Sequence, residues 1–345
     1  MEFIVAHDLL ASDRAMFLQI AEADGAAPAM PDELLGDPPA EVLADYARHQ
    51  WVHPQGVLEI DGELRWPYLL TSGSAPVAVP WANFHEAHLA EVWRPAAAPS
   101  RMIGPSVVLC GPGYPIFGHW LVDFLPKLWV LQTAGYVLST LPFVVPFDIP
   151  PFARELLRMC GIGDGQLVEL RDDQALSGRF LFPTTIHNGV RGPLFSRAAP
   201  FLRALLGIAP HRTGTRLFLS RAHAPQTRPC GNREEMELVA AEFGLSIIHP
   251  ERLTLREQFH LIGSAGLVAG EYGSAMHSTL FADAGLIVCA LRGSRFHPGF
   301  VQSAIGAALA QPTGYLFGHT NTDDPAQGFI VAAEPFRAFL AGRTR

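Results

Sequence analysis

From about residue 105 the chain alternates short apolar runs with amphipathic stretches, and this alternation narrows its fold more than any other feature. Strands are expected near 105–109, 142–145 and 167–170, with helices near 117–132 and 151–160 between them. "GRFLFPTTIHNG" reads as a further strand and loop. After residue 215 the pattern is cleaner. "RLFLS", "LSIIHP", "GLVAG" and "LIVCAL" read as strands, and "NREEMELVAAEFG", "TLREQFHLIGSA" and "SAMHSTLFADAG" as the helices separating them. Asn232 stands at an N-cap position with Glu235 in the capping-box place. Apolar strands alternating with helices require a parallel sheet covered on both faces, so the fold class is α/β.

A chain of 345 residues suggests roughly two domains of about 150 residues each. Residues 187–215 combine Gly, Pro and basic residues around one short helix and are the expected linker. The division is set at 1–205 and 206–345, two Rossmann-like parallel-sheet domains facing each other across a cleft. Residues 1–100 are less legible. A helix is expected after Pro38, and "GVLEIDGELRWPYLL" alternates like two strands around a tight turn at Asp61-Gly62.

The segment "GHWLVDFLPKLWVL", residues 118–131, follows a strand and a Gly/Pro loop. At about 100° per residue, Phe117, Leu121, Phe124, Leu125, Leu128 and Leu131 share one face. His119 and Asp123 fall together on the other, one turn apart. A general base oriented by its neighbour has this spacing. So does a half-buried histidine beside an Asp123–Lys127 ion pair. Pro126 removes the hydrogen bond to the Val122 carbonyl, so a kink or break is expected there.

Two further segments lie past strand ends. In "FLSRAHAPQTRPCGNREE", Arg221 follows a strand and Arg228 lies in a Pro/Gly loop. A guanidinium there suits a diphosphate, because its planar fork binds phosphate oxygens in pairs; a surface ion pair with Glu234 or Glu235 is the alternative. In "VAGEYGSAMHSTLFADAG" a strand ends at Gly270, and Gly273 opens a helix that begins with Ser274 and Ala275. Backbone N–H groups at such a start hold anions, and small residues let a ligand approach. A plain strand-to-helix turn would also use these residues.

Composition excludes several classes. A net charge of −8 argues against a broad nucleic-acid-binding surface. The four cysteines, Cys110, Cys160, Cys230 and Cys289, are scattered, as expected of buried reduced thiols in a reducing compartment. "HEAH" at 85–88 lacks a third ligand for zinc. No Asp-x-Asp, GxSxG or P-loop pattern occurs. The start "MEFIVAHDLLASDR" has neither the basic nor the apolar region of a secretory signal. The uncharged stretch 128–147 is long enough to span a membrane, but Gly135, Pro142 and Pro146 interrupt it.

Taken in order, the motifs of residues 115–292 resemble the family 61 glycosyltransferases. "GHWLVDFLPKL" is similar to that family's His-x-x-x-Asp-x-x-Pro helix. "LFLSRAHAPQTRPCGNREE" with "PERLTLREQFHLIGSAG" is similar to its Ser-Arg, Arg, Asn-Glu and Gln series. "GEYGSAMHSTLF" is similar to its Gly-x-His-Gly-Ala segment. Three positions depart: Tyr272 stands where the family has His, Ser278 where it has Asn, and Arg233 where Glu commonly follows the Asn.

The resemblance implies a GT-B-like fold and an inverting, metal-independent transferase with no cofactor, using a nucleotide sugar, often a uridine diphosphate sugar. It implies that Asp123 is the base and that His119 orients it or the acceptor, with the reverse assignment open. Ser220, Arg221 and Arg228 then bind the diphosphate, while Gly273, Ser274 and Ala275 hold the nucleotide. Glu271 and Tyr272 complete the donor site, Glu271 toward ribose. The N-terminal half takes a glycan or lipid-linked glycan acceptor. The chain is most similar to bacterial members that build capsule, exopolysaccharide or lipopolysaccharide. That implies a cytoplasmic location, with peripheral contact to the inner face of the membrane. Two alternatives stand beside this reading: a non-catalytic sugar-nucleotide-binding scaffold of a polysaccharide assembly complex, and a nucleotide-sugar epimerase or hydrolase needing no acceptor.

Overall fold

The computed structural model describes residues 2–5, 33–35, 56–65, 68–70, 76–77, 101–111, 113–187, 192, 194–209, 213–223, 229–293, 301–320 and 328–343. The strands in chain order are β1 (Glu2–Val5), β2 (Glu33–Leu35), β3 (Gly56–Arg65), β4 (Tyr68–Leu70), β5 (Pro76–Val77), β6 (Arg101–Met102), β7 (Ser106–Val108) and β8 (Phe143–Pro146). They continue as β9 (Leu167–Leu170), β10 (Leu176–Pro183), β11 (Thr215–Leu219), β12 (Ser246–Ile248), β13 (Ala265–Glu271), β14 (Ile287–Gly293), β15 (Thr313–Thr320) and β16 (Phe329–Ile330). The chain forms two compact α/β units, each with its own sheet. The first gathers described residues of Met1–Asp24, Val52–Ile186 and Leu205–Gly207; the second those of Gly25–Trp51, His187–Ala204 and Ile208–Arg345.

In the first unit the sheet runs β5-β4-β3-β10-β7-β8-β9. β10, β7, β8 and β9 are mutually parallel neighbours, and β3 adds to β10 antiparallel. The helical segment 117–133 connects β7 to β8, and helix Pro151–Met159 connects β8 to β9. Residues following β7, β8 and β9 therefore share one edge of the sheet. Leu58, Ile60, Val108, Val144, Leu170, Phe180 and Phe182 pack together on one of its faces.

The second unit holds the order β12-β11-β13-β14-β15, all parallel, with β16 added antiparallel and β2 parallel to β15. Counted from β11 this is 2-1-3-4-5, a doubly wound order whose direction reverses between β11 and β13. Ligands of such sheets bind at that reversal, beyond the carboxyl ends of the strands. Alternation along each strand builds a core on both faces. Phe218, Ala269 and Leu291 pack with helices Arg233–Glu242 and Ala333–Ala341, while Leu217, Leu219, Val268 and Ala290 pack with Ile262 and Met276 on the opposite face. Each large side chain so enclosed stabilises the fold by about 1.5–3 kcal/mol.

Local expectations differ from the structure in three places. β3 runs straight through Asp61 and Gly62, without a turn, because Asp61 pairs with Arg179 of β10 (Nε–Oδ1 3.0 Å, Nη2–Oδ2 2.8 Å). Asn232 does precede helix Arg233–Glu242, but it forms no capping box. Its Nδ2 donates to Glu235 (2.8 Å) and to the Val331 carbonyl (2.7 Å), and its Oδ1 accepts from Val331 N–H (3.0 Å). The capping box instead closes between Thr254 and Glu257, ahead of helix Leu255–Gly263. Finally, Ser274–Phe281 winds as a 3₁₀ helix. The four cysteines are buried and free. Among the described residues no helix is long and apolar enough to cross a membrane. The expected helix after Pro38, the histidines His85 and His88, Asp323-Asp324 and Arg228 lie outside the described residues.

Candidate active site

In the first unit the site forms where β7 passes into its helix. Pro126 has no N–H to offer the Val122 carbonyl. Just before it the helix ladder widens: Leu125 N–H reaches back five residues to the Trp120 carbonyl at 2.9 Å, and Trp120–Phe124 form a π turn. Such single wide turns within α-helices are frequent at functional sites. His119 ends the α-helical turn Phe117–His119 ahead of it, and Asp123 lies within it. The two side chains meet, Nδ1 of His119 against Oδ2 of Asp123.

Their surroundings are unequal. The His119 side chain is 43% exposed and the Asp123 side chain 12%. Burial disfavours the imidazolium, but the hydrogen bond and charge of Asp123 outweigh it, and the His119 pKa is raised above 6.5. A β-carbon on Gly113 would fall 2.7 Å from Cδ2 of His119, so glycine there lets the loop lie against the ring. That loop is clamped. Trp120 Nε1 donates to the Tyr114 carbonyl at 2.7 Å, and the Tyr114 hydroxyl bonds Asp148 at 2.8 and 2.9 Å, tying it to the end of β8. One turn beyond Asp123, Lys127 is fully buried, with Nζ donating to the Leu109 carbonyl at 3.3 Å. Burial lowers its pKa to about 8, against the opposing pull of Asp123.

In the second unit the ends of β11 and β13 bring Ser220, Arg221, Glu271, Tyr272 and Gly273 together. Glu271 is the strut. Both its oxygens are engaged by Arg233 (Nε–Oε1 2.6 Å, Nη2–Oε2 3.1 Å), and they also accept the N–H groups of Arg221 (3.0 Å) and Cys230 (3.3 Å). Its carboxylate thus fixes the chain leaving β11 to the end of β13. Ser220 is buried and shapes the same exit, its Oγ accepting from Ala222 N–H at 3.2 Å. The Arg221 guanidinium lies against Gly273, where a β-carbon would sit 2.9 Å from Nη1, and donates to the Tyr272 carbonyl at 3.4 Å.

The Tyr272 ring is only 5% exposed and packs against Arg292, His277 and Tyr315. Past Gly273, the first bond within the turn runs from Met276 N–H to Gly273 O (3.0 Å). Ser274 and Ala275 thus hold the two N–H positions at its start. At the edge of this group, Glu251 accepts from His223 N–H (3.0 Å) and adds a negative charge near Arg221. Among the described residues no three His, Cys, Asp or Glu side chains are gathered as for a metal ion.

Lys127, Arg233 and the glycine contact at Gly113 were not singled out as parts of a site from sequence. Lys127 figured only as a helix-surface partner of Asp123, and Arg233 only as a departure from the family pattern. A family model described as Glycosyltransferase 61 matches residues 117–289, from the first residue of the His119 helix into β14. No curated protein matches the chain. Among solved structures, that of E. coli heptosyltransferase WaaC with ADP is 11% identical, with 70% of this chain and 98% of that chain covered and a TM-score of 0.34.

Proposed function

Since the chain belongs to the glycosyltransferase 61 family, we propose that it moves a sugar, with inversion and without a metal ion, from a uridine diphosphate sugar to a hydroxyl of a glycan or lipid-linked glycan. The observation that carries this reading is the half-exposed imidazole of His119 held through Nδ1 by the enclosed Asp123. Of the two, His119 is the one an acceptor can reach. The roles first assigned are therefore exchanged: His119 is the base and Asp123 orients it.

With Nδ1 bound to Asp123, Nε2 takes the proton of the acceptor hydroxyl. The freed oxygen pair attacks the anomeric carbon from the side opposite the diphosphate. The anomeric C–O bond breaks, and its electrons leave on the diphosphate. A single displacement of this kind inverts the anomeric centre. Arg221 and the N–H groups of Ser274 and Ala275 receive the departing charge, as a cation would in a metal-dependent enzyme. Glu271 acts through Arg221 as its support, not through ribose. Arg228 remains a proposed diphosphate ligand. The work of such an enzyme is the assembly of surface polysaccharide, in the cytoplasm or at the inner face of the membrane.

Calorimetric titration with nucleoside diphosphates and their sugars, with and without EDTA, tests the donor half. One nucleoside diphosphate binds equally in both conditions, Arg221→Ala weakens it, and Asp123→Asn leaves it unchanged. No binding across the panel overturns the donor site. Binding unaccompanied by turnover with any glycan acceptor favours the scaffold reading.

A further inference from the structure

Lys127 is the one described lysine enclosed in the core, and a single backbone carbonyl is a poor host for an ammonium group. An isolated charge in a dry interior is strongly disfavoured unless it is paired. The Lys127 side chain has no solvent exposure, and its hydrogen bond to Leu109 O, 3.3 Å, is long. The charged or titratable groups that act on it are Asp123, one turn back on the same helical segment, and Cys110, at the exit of β7. Burial pushes the Cys110 thiol up to about 12, so it is neutral and supplies no counter-charge. That leaves Asp123, whose carboxylate already receives Nδ1 of His119. Phe124 closes the other side, its ring centroid 5.6 Å from Nζ. The residues at 119, 123 and 127 therefore stand in one ladder of imidazole, carboxylate and ammonium, running from solvent into the core.

We propose that Lys127 is a positioning residue for the transfer, the buried cation that keeps Asp123 ionised and turned toward His119. This rests on the reading of His119 as the base. The ammonium does not touch substrate. It offsets part of the negative charge that His119 feels, and so sets how readily the imidazole gives up its proton. A ladder without the cation holds the proton on His119 more tightly, leaving less free base near neutral pH. A lysine that served only to bond Leu109 O would have no such effect.

The test is the titration of the His119 imidazole followed by NMR in the full chain, beside steady-state kinetics. Lys127→Gln keeps a donor for Leu109 O and removes the charge; Lys127→Arg keeps the charge. In Lys127→Gln the His119 midpoint moves to higher pH by half a unit or more, and kcat at neutral pH falls at least tenfold with the donor KM unchanged. In Lys127→Arg the midpoint stays within a few tenths of wild type. A folded Lys127→Gln protein with unaltered midpoint and kcat overturns the proposal.

A reciprocal measurement leaves Lys127 in place: its side-chain resonances titrate at lower pH in Asp123→Asn than in wild type, and an unchanged titration overturns the coupling. Both titrations read the ladder without turnover. If His119→Gln retains full activity, the base assignment fails while the titrations still decide the ladder.

Discussion

The guanidinium of Arg221 lies where the side chain of residue 273 would otherwise be: a β-carbon on Gly273 would approach Nη1 to 2.9 Å. The backbone of Gly273 is extended, a conformation any residue adopts, so the glycine is required by this contact and not by strain. Gly273→Ala therefore displaces Arg221 while leaving the strand end intact. A hydrogen bond to a charged group contributes about 1.5–3 kcal/mol, so the dissociation constant for the nucleoside diphosphate rises about ten- to a hundredfold. Calorimetry on the folded variant checks this, and an unchanged constant contradicts the placement of Arg221 in the donor site.

Arg233 and Glu271 form an enclosed pair, with side chains 17% and 2% exposed. Removing one partner of such a pair leaves a charge in a poorly solvated place, at a loss of about 3–5 kcal/mol. Glu271→Gln and Arg233→Met each lower stability by that order, measured by urea unfolding. The double variant loses much less than the sum, because no lone charge remains. Full additivity contradicts the pairing.

Lys127 links stability to alkaline pH. Its folded pKa is about 8, below the ordinary 10.5. Between these values the unfolded chain holds a proton that the folded chain does not, so this residue makes stability rise with pH across that window. The contribution is about 3 kcal/mol over the full interval. Other groups titrate there too, so the informative quantity is the difference between wild type and Lys127→Met. The stability advantage of the Met variant shrinks from pH 8 to pH 10.5, and a constant difference contradicts an ammonium buried at neutral pH.

What the sequence disclosed and what it hid divides by distance along the chain. The His119–Asp123 spacing and the break at Pro126 are local, and both are legible in residues 117–133. The consequence of that break, a π turn set before the proline, depends on how Trp120 is anchored to Tyr114 O. Asn232 looks like a cap because its neighbours are helical, yet its side chain is claimed by Val331, 99 residues away. Asp61-Gly62 looks like a hairpin turn, yet Arg179, 118 residues on, holds the strand straight. The donor-side arrangement was read as three separate segments. What joins them is the carboxylate of Glu271, whose three partners come from Arg221, Cys230 and Arg233. No spacing rule marks such a convergence; parallel pairing of β11 with β13 creates it.

The account turns on His119 as the base, and the pH dependence of kcat/KM tests it most directly. A base must be unprotonated, so the rate rises with pH through the His119 pKa, which lies above 6.5 because the hydrogen bond and charge of Asp123 outweigh burial. Asp123→Asn removes the charge and leaves the burial. The acid limb of the profile then moves to lower pH, below its wild-type position, and the plateau rate falls by about 10²-fold or more. His119→Gln abolishes the limb. An acid limb that persists in His119→Gln and disappears in Asp123→Asn would make Asp123 the base and contradict the account.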